Sequence, residues 1–122
     1  MHISRINSFR REDNEAEICI SDGEYSLNCY AYPVKSISLE QNICGLYGFS
    51  CDGIVKSYDF NFSIKKLPQY YAYCLTAKVV STNDHVVQIG KIYINLDSEL
   101  PKDIREGDYI SFTVQRLDLN IF

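Results

Sequence analysis

Apolar and polar side chains alternate along most of this chain, and a period of two predicts β-strands. The clearest stretch runs from Ala16 to Ala31. Ala16, Ile18 and Ile20 alternate with Glu17, Cys19 and Ser21. Beyond Asp22-Gly23, Tyr25, Leu27, Cys29 and Ala31 alternate with Ser26, Asn28 and Tyr30. Alternation sends one set of side chains to one face of a strand. Asp-Gly between two such runs predicts a hairpin, because a type I′ turn needs positive φ at both central residues. Upstream, Ile3, Ile6 and Phe9 fit neither period and predict a first strand with a slip or bulge. The charged segment Arg10–Glu15 turns the chain into the second strand. Together these make a three-strand meander over residues 2–32, closed by Pro33.

Residues 34–53 carry a mixed signal. Ile37 and Leu39 could end a strand. Leu39, Ile43, Leu46 and Tyr47 have helical spacing, with Gly45 placed for a C-terminal cap. Gly45, Gly48 and Gly53 argue instead for a loop over much of the segment. The period of two returns at Ile54. Tyr58, Phe60, Phe62 and Ile64 alternate with polar neighbours and predict a half-buried strand, with Phe60 in the core. Lys65-Lys66-Leu67-Pro68 ends it. Tyr71, Tyr73, Leu75, Ala77 and Val79 face one way in the next strand, before a turn at Ser81–Asp84. Val87 and Ile89 are out of register with Ile92, Ile94 and Leu96, and a bulge at Gly90 would place both sets on one face. Residues 97–108 read as an acidic loop around Pro101 with room for one helical turn. Ile110, Phe112 and Val114 form the last clear strand. Leu117 and Leu119 shift register again, which predicts another bulge or a sheet crossing.

The expectation is one all-β domain over residues 1–122, with about seven strands and at most one short helix. Long bent strands favour a small antiparallel bent barrel or barrel-like sandwich. The order of an opening meander, an irregular segment with room for a helix, and a later hairpin resembles an OB-fold. Ile104-Arg-Glu-Gly107-Asp108-Tyr-Ile110-Ser-Phe112 is similar to the Gly-Asp lead-in of small barrel strands. Seven strands exceed the five of the OB core. The resemblance implies a surface able to hold single-stranded nucleic acid.

Composition narrows the function classes. The formal net charge is −4 and ten Tyr accompany six Phe and no Trp. Tyr combines an apolar body with a polar tip and suits both strand faces and contact surfaces. The five cysteines are an odd number, and no signal peptide or membrane-length apolar run is visible, so free thiols in the cytoplasm are the expectation. Asn61-Phe62-Ser63 is then a chance sequon. Cys44, Cys51, His2 and His85 lack the paired spacing of a zinc knuckle. Cys19, Cys29 and Cys74 fall within strands, where Cys acts as a small hydrophobe. No nucleophile motif, phosphate-cradling loop or dinucleotide fingerprint occurs, so neither a catalytic residue nor a cofactor is expected.

Two binding classes remain prominent. For nucleic acid, Tyr30, Tyr32, Tyr70 and Tyr93 could stack bases while Lys56, Lys65, Lys66, Lys78 and Lys91 meet phosphates. Twelve basic residues are nonetheless outnumbered by sixteen acidic ones. For a protein partner, the expected contacts are Glu12, Asp13, Glu15, Glu17, Asp22, Glu24, Tyr30, Tyr32, Asp103 and Glu106. Carboxylates interspersed with Tyr suit a basic protein surface. In size, acidity and absence of reaction chemistry the chain is similar to the immunity proteins of bacterial toxin systems. That resemblance implies occlusion of a cognate basic toxin, such as a nuclease. A structural subunit of a larger assembly is the third expectation.

Overall fold

The computed structural model describes residues 1–121 and places eleven strands in one mixed sheet. They are β1 (His2–Arg10), β2 (Glu15–Ser21), β3 (Ser26–Ala31), β4 (Ile43–Phe49), β5 (Asp52–Ser57) and β6 (Ser63–Lys66). β7 (Tyr73–Ser81), β8 (Val86–Ile89), β9 (Ile92–Leu96), β10 (Tyr109–Val114) and β11 (Arg116–Ile121) follow. The spatial order is β1-β2-β3-β11-β4-β9-β8-β7-β10-β5, with β6 on the edge of β7. The all-β expectation holds, with no helix among the described residues, but the count of seven strands does not. The sheet does not close into a barrel, because β1 and β5 stand at its two ends. It is also not purely antiparallel, since β11–β3 and β4–β9 are parallel pairs.

The opening meander forms as expected. Register shifts between Ile3 and Arg5 and between Ile6 and Ser8 explain why the apolar residues of β1 recur every third position. Ser21 pairs with Ser26, so the hairpin loop is Asp22–Tyr25 rather than a two-residue type I′ turn. Only Gly23 has positive φ there, at +100°. The Asp22 carboxylate supplies the remaining order by accepting the N–H groups of Glu24 (2.9 Å) and Tyr25 (2.7 Å).

The glycines of residues 34–53 mislead because they mark close approach within a strand. A Cβ at Gly48 would sit 2.9 Å from Cys51 Sγ and press on Val114 and Leu96. Leu46 and Gly48 point inward on β4, so residues 43–49 are strand rather than helix or loop, while residues 34–42 are irregular. The Tyr58–Ile64 alternation also departs from expectation. β5 stops at Ser57, and the chain crosses as an irregular segment to β6 on the far edge of β7. Phe60 is 69% exposed there, so the cavity penalty of a core phenylalanine does not apply to it.

Gly90 is a turn residue rather than a bulge. Ile89 pairs directly with Ile92, leaving Gly90-Lys91 as a two-residue hairpin loop. Gly90 has φ +56° and Lys91 does not have positive φ, the sign pattern of a type II′ turn. Val87, Ile89, Ile92 and Ile94 still share one buried face. Residues 97–108 contain no helical turn but bury Ile104.

The shift at Leu117 is a crossing. β4 leads into β5 through Ser50-Cys51, while β10 leads into β11 through Gln115. β4 pairs antiparallel with β11 and β5 with β10, so the four strands form one long bent ribbon. At the bend, the Gln115 N–H donates to Phe49 O at 3.1 Å. The Asp97 carboxylate accepts the N–H groups of Ser50 (2.6 Å) and Cys51 (3.0 Å), holding Ser50 at φ +57°. These two amides keep the Asp97 carboxyl below its ordinary range despite opposing desolvation. Both sheet halves turn their apolar residues inward around one core. Tyr73 reaches across it, and its hydroxyl accepts the Asn28 N–H of β3 at 2.9 Å.

Asp22 fastens two distant turns. Its second oxygen accepts the Lys91 N–H at 2.7 Å. Bonds from Lys91 first, and then Tyr25, hold the Asp22 pKa down at about 2, against an ordinary value of 3.8. A depressed carboxylate stabilises the fold above its unfolded pKa and loses that contribution as pH falls through the folded value. Asp22→Asn is therefore expected to cost about 1 kcal/mol at pH 6, allowing for solvent screening. The cost should shrink between about pH 4 and pH 2. Urea unfolding at both ends of this range checks it, and a pH-independent cost would contradict it.

Candidate functional site

The outer faces of β2, β3 and β11 gather the main cluster of polar and aromatic side chains. Alternation dictates this: with Ala16, Ile18, Leu27, Cys29, Leu117 and Leu119 facing inward, Glu15, Glu17, Tyr30, Arg116 and Asp118 must face outward. The segment between β6 and β7 adds Tyr70 and Tyr71.

Arg116 is the centre of the cluster. Its guanidinium carbon lies 4.5 Å from the Tyr30 ring centroid and 4.8 Å from that of Phe49. Nε donates to Asp118 Oδ1 at 2.5 Å and Nη2 to Oδ2 at 3.2 Å. The Asp118 bond first, and its charge next, raise the Arg116 pKa, with desolvation opposing. Two rings and a forked carboxylate thus hold the cation in one place.

Tyrosine hydroxyls meet the carboxylates. Tyr30 donates to Glu15 Oε1 at 2.9 Å, and Tyr70 donates to Glu17 Oε1. Asn7 Nδ2 donates to Glu17 Oε2 at 3.0 Å. Tyr71 stands edge-on to Tyr30 and Tyr70, with centroids 5.7 and 4.8 Å away. Desolvation, and then the Glu17 charge, push the Tyr71 hydroxyl up to about 12. Desolvation followed by the Glu15 bond raises Tyr30, and the Glu17 bond is the main cause for Tyr70. Tyr30 and Tyr70 thus act as hydrogen-bond donors to the carboxylates.

Three adjoining open depressions of about 510, 460 and 280 Å³ surround Arg116. Phe49, Tyr70, Tyr71 and the β10–β11 bend line the first. Glu15, Glu17, Arg10 and Tyr30 border the second, and Tyr32 and Tyr47 the third. The result is a shallow groove of rings with charged edges.

Of the expected contact residues, the groove unites Glu15, Glu17, Tyr30 and Tyr32, whose ring stacks on Tyr30. Asp13 is adjacent through Arg10, which faces Asp13 at 3.7 Å and Glu15 at 3.8 Å. Glu12 is exposed in the same turn. Asp22 and Glu24 lie past the other end of β2, on the order of 20 Å from Glu15 along the strand. Asp103 and Glu106 belong to the loop after β9, where Asp103 neighbours Ile54, Lys56 and Tyr58. The ten residues are therefore not one surface.

The lysines proposed to meet phosphates are dispersed. Lys56 faces Asp108 at 3.5 Å, and Lys66 Nζ donates to the carbonyls of Leu67 and Gln69. Tyr93 is exposed on β9, on the same outer side as Tyr47 of the adjoining β4. Sequence reading missed Arg116, Asp118, Tyr71, Tyr47 and Phe49. Arg116 and Asp118 were detectable, because they alternate with Leu117 and Leu119.

Among the described residues, no three His, Cys, Asp or Glu side chains come together as a metal-binding group. All five cysteines are free. Burial is the main cause that pushes the Cys51 thiol up to about 12. Among the described residues, no helix is long and apolar enough to cross a membrane. The fold and groove define an all-β protein with an aromatic, acid-edged depression on its outer face. No family model, curated protein or solved structure matches the chain.

Proposed function

We propose that this chain is a non-catalytic protein-binding module whose partner docks on the groove around Arg116. The most concrete form of that reading is an immunity protein that neutralises a cognate basic toxin by occlusion. The observation that carries it is the state of Glu17. Among the described residues Arg10 and Arg116 each already face a carboxylate, whereas Glu17 has only the neutral donors Tyr70 and Asn7. A carboxylate without a cation, set beside a Tyr70 ring that is 71% exposed, is complementary to a basic protein surface. Phosphate-bearing ligands would instead approach Glu15, Glu17 and Asp118.

The test is association kinetics with candidate basic toxins found by co-purification. Glu17→Lys is expected to slow association about tenfold at low salt, with the difference fading as salt rises. Glu24→Lys, at the far turn, should change the rate little. Equal rates for wild type and Glu17→Lys would remove the groove as the contact. Tight single-strand binding that weakens steeply with salt, without a protein partner, would favour the nucleic-acid reading.

A further inference from the structure

Glu17 lines the second depression, and neighbours from three segments fix its carboxylate. Tyr30 of β3 is its direct cross-strand neighbour. On the other side, Asn7 is the extra residue of a bulge in β1, where Ile6 pairs with Ile18 and Ser8 with Glu17. A bulge re-aims a side chain. Here Asn7 Nδ2 donates to Glu17 Oε2 and to Asn28 Oδ1, each at 3.0 Å. Arg5 Nε donates to Asn7 Oδ1 at 2.6 Å, which turns the amide's donor end toward Glu17. Tyr70 donates to the other carboxylate oxygen. An ionised carboxylate has about four lone-pair sites, and these two neutral donors leave the others open.

A ring beside a carboxylate occurs twice in the groove. The first set holds the chain's own cation: Arg116 lies against the Tyr30 and Phe49 rings and forks onto Asp118. The second set is Tyr70 with Glu17. Among the described residues, no Lys or Arg side chain forms an ion pair with Glu17. Arg10 and Arg116 border the same depression, but each faces a different carboxylate. Tyr71 stands at 90° to Tyr70 with centroids 4.8 Å apart, which orients a ring that is 71% exposed.

We propose that the second depression seats one arginine side chain of the partner, its guanidinium forked onto Glu17 and laid flat on the Tyr70 ring. This rests on the reading of the groove as a docking surface and names the group that enters it. Charge selects a cation, because Glu17 is the carboxylate there without one. Geometry selects arginine over lysine. A guanidinium offers paired donors to a carboxylate and a flat face to a ring, whereas an ammonium is a compact point charge. Arg116 shows the same combination satisfied within the chain.

The probes are the N-acetyl N-methylamides of arginine and lysine, titrated at low salt into the isotope-labelled protein and followed by nuclear magnetic resonance. Saturable shifts are expected at Asn7, Glu17, Tyr70 and Tyr71, with arginine bound about threefold more tightly than lysine. Glu17→Gln should weaken arginine binding about fivefold, and Glu24→Gln should leave it unchanged. Tyr70→Phe should keep the preference for arginine and Tyr70→Leu should lose it, so these two variants carry the test if Glu17→Gln fails to fold. Equal binding of the two probes, unsaturable shifts, or arginine binding untouched by Glu17→Gln overturns the proposal. Failure of the docking reading looks different. A basic protein whose association slows with Glu17→Lys, beside a probe that does not bind, overturns the arginine seat and leaves the docking surface standing. Selective probe binding without any protein partner supports the seat and counts against the immunity reading alone.

Discussion

Replacing Phe112 with alanine is expected to destabilise the protein by about 3–5 kcal/mol. Phe112 is among the largest fully buried side chains and lies in the middle of β10, which pairs with β7 on one edge and β5 on the other. Paired backbones on both sides resist collapse into the space the ring vacates. The transfer loss and the cavity therefore both count. Urea unfolding reads the effect as a lower midpoint at unchanged slope. A loss below about 1 kcal/mol would mean that Phe112 is not a packed core residue.

Gly90→Ala is expected to cost about 3 kcal/mol, far more than the removal of two hydrogens suggests. Two penalties combine. Alanine at φ +56° is strained, and its Cβ would fall within 3 Å of both Asp22 Oδ2 and the Tyr25 ring. The substitution therefore pushes apart the two turns that Asp22 joins through Lys91. A double variant separates the penalties: if Asp22→Ala is already present, the further cost of Gly90→Ala should fall to the backbone strain and the contact with the Tyr25 ring. An undiminished additional cost in that background would assign the effect to those two causes and none of it to Asp22.

These two sites show what the sequence makes legible. Strand existence and the sets of residues that share a face were readable wherever alternation was local, as in β2, β3, β7 and β10, but not which face is buried. Gly90 was recognised as the point where the register changes. A hairpin of two residues and a bulge of one both restore a shared face, so periodicity could not choose between them. Gly48 was misread because its reason is tertiary: Cys51, Val114 and Leu96 crowd it. Phe60 was misread because alternation marks amphipathic character but does not specify what covers the apolar side. Of the groove, Glu15, Glu17, Tyr30 and Tyr32 were legible from the β2–β3 hairpin. Arg116 and Tyr71 come from distant segments, and only the crossing of β11 beside β3 brings them in.

The bent ribbon has a consequence for how this protein comes apart. Residues 43–57 belong to the first half of the chain and residues 109–121 to the second, yet each is the other's pairing partner. Neither half of the polypeptide is an independent folding unit. A proteolytic cut between Tyr58 and Phe62 would leave two pieces still clasped along their length, and melting would release both in the same event.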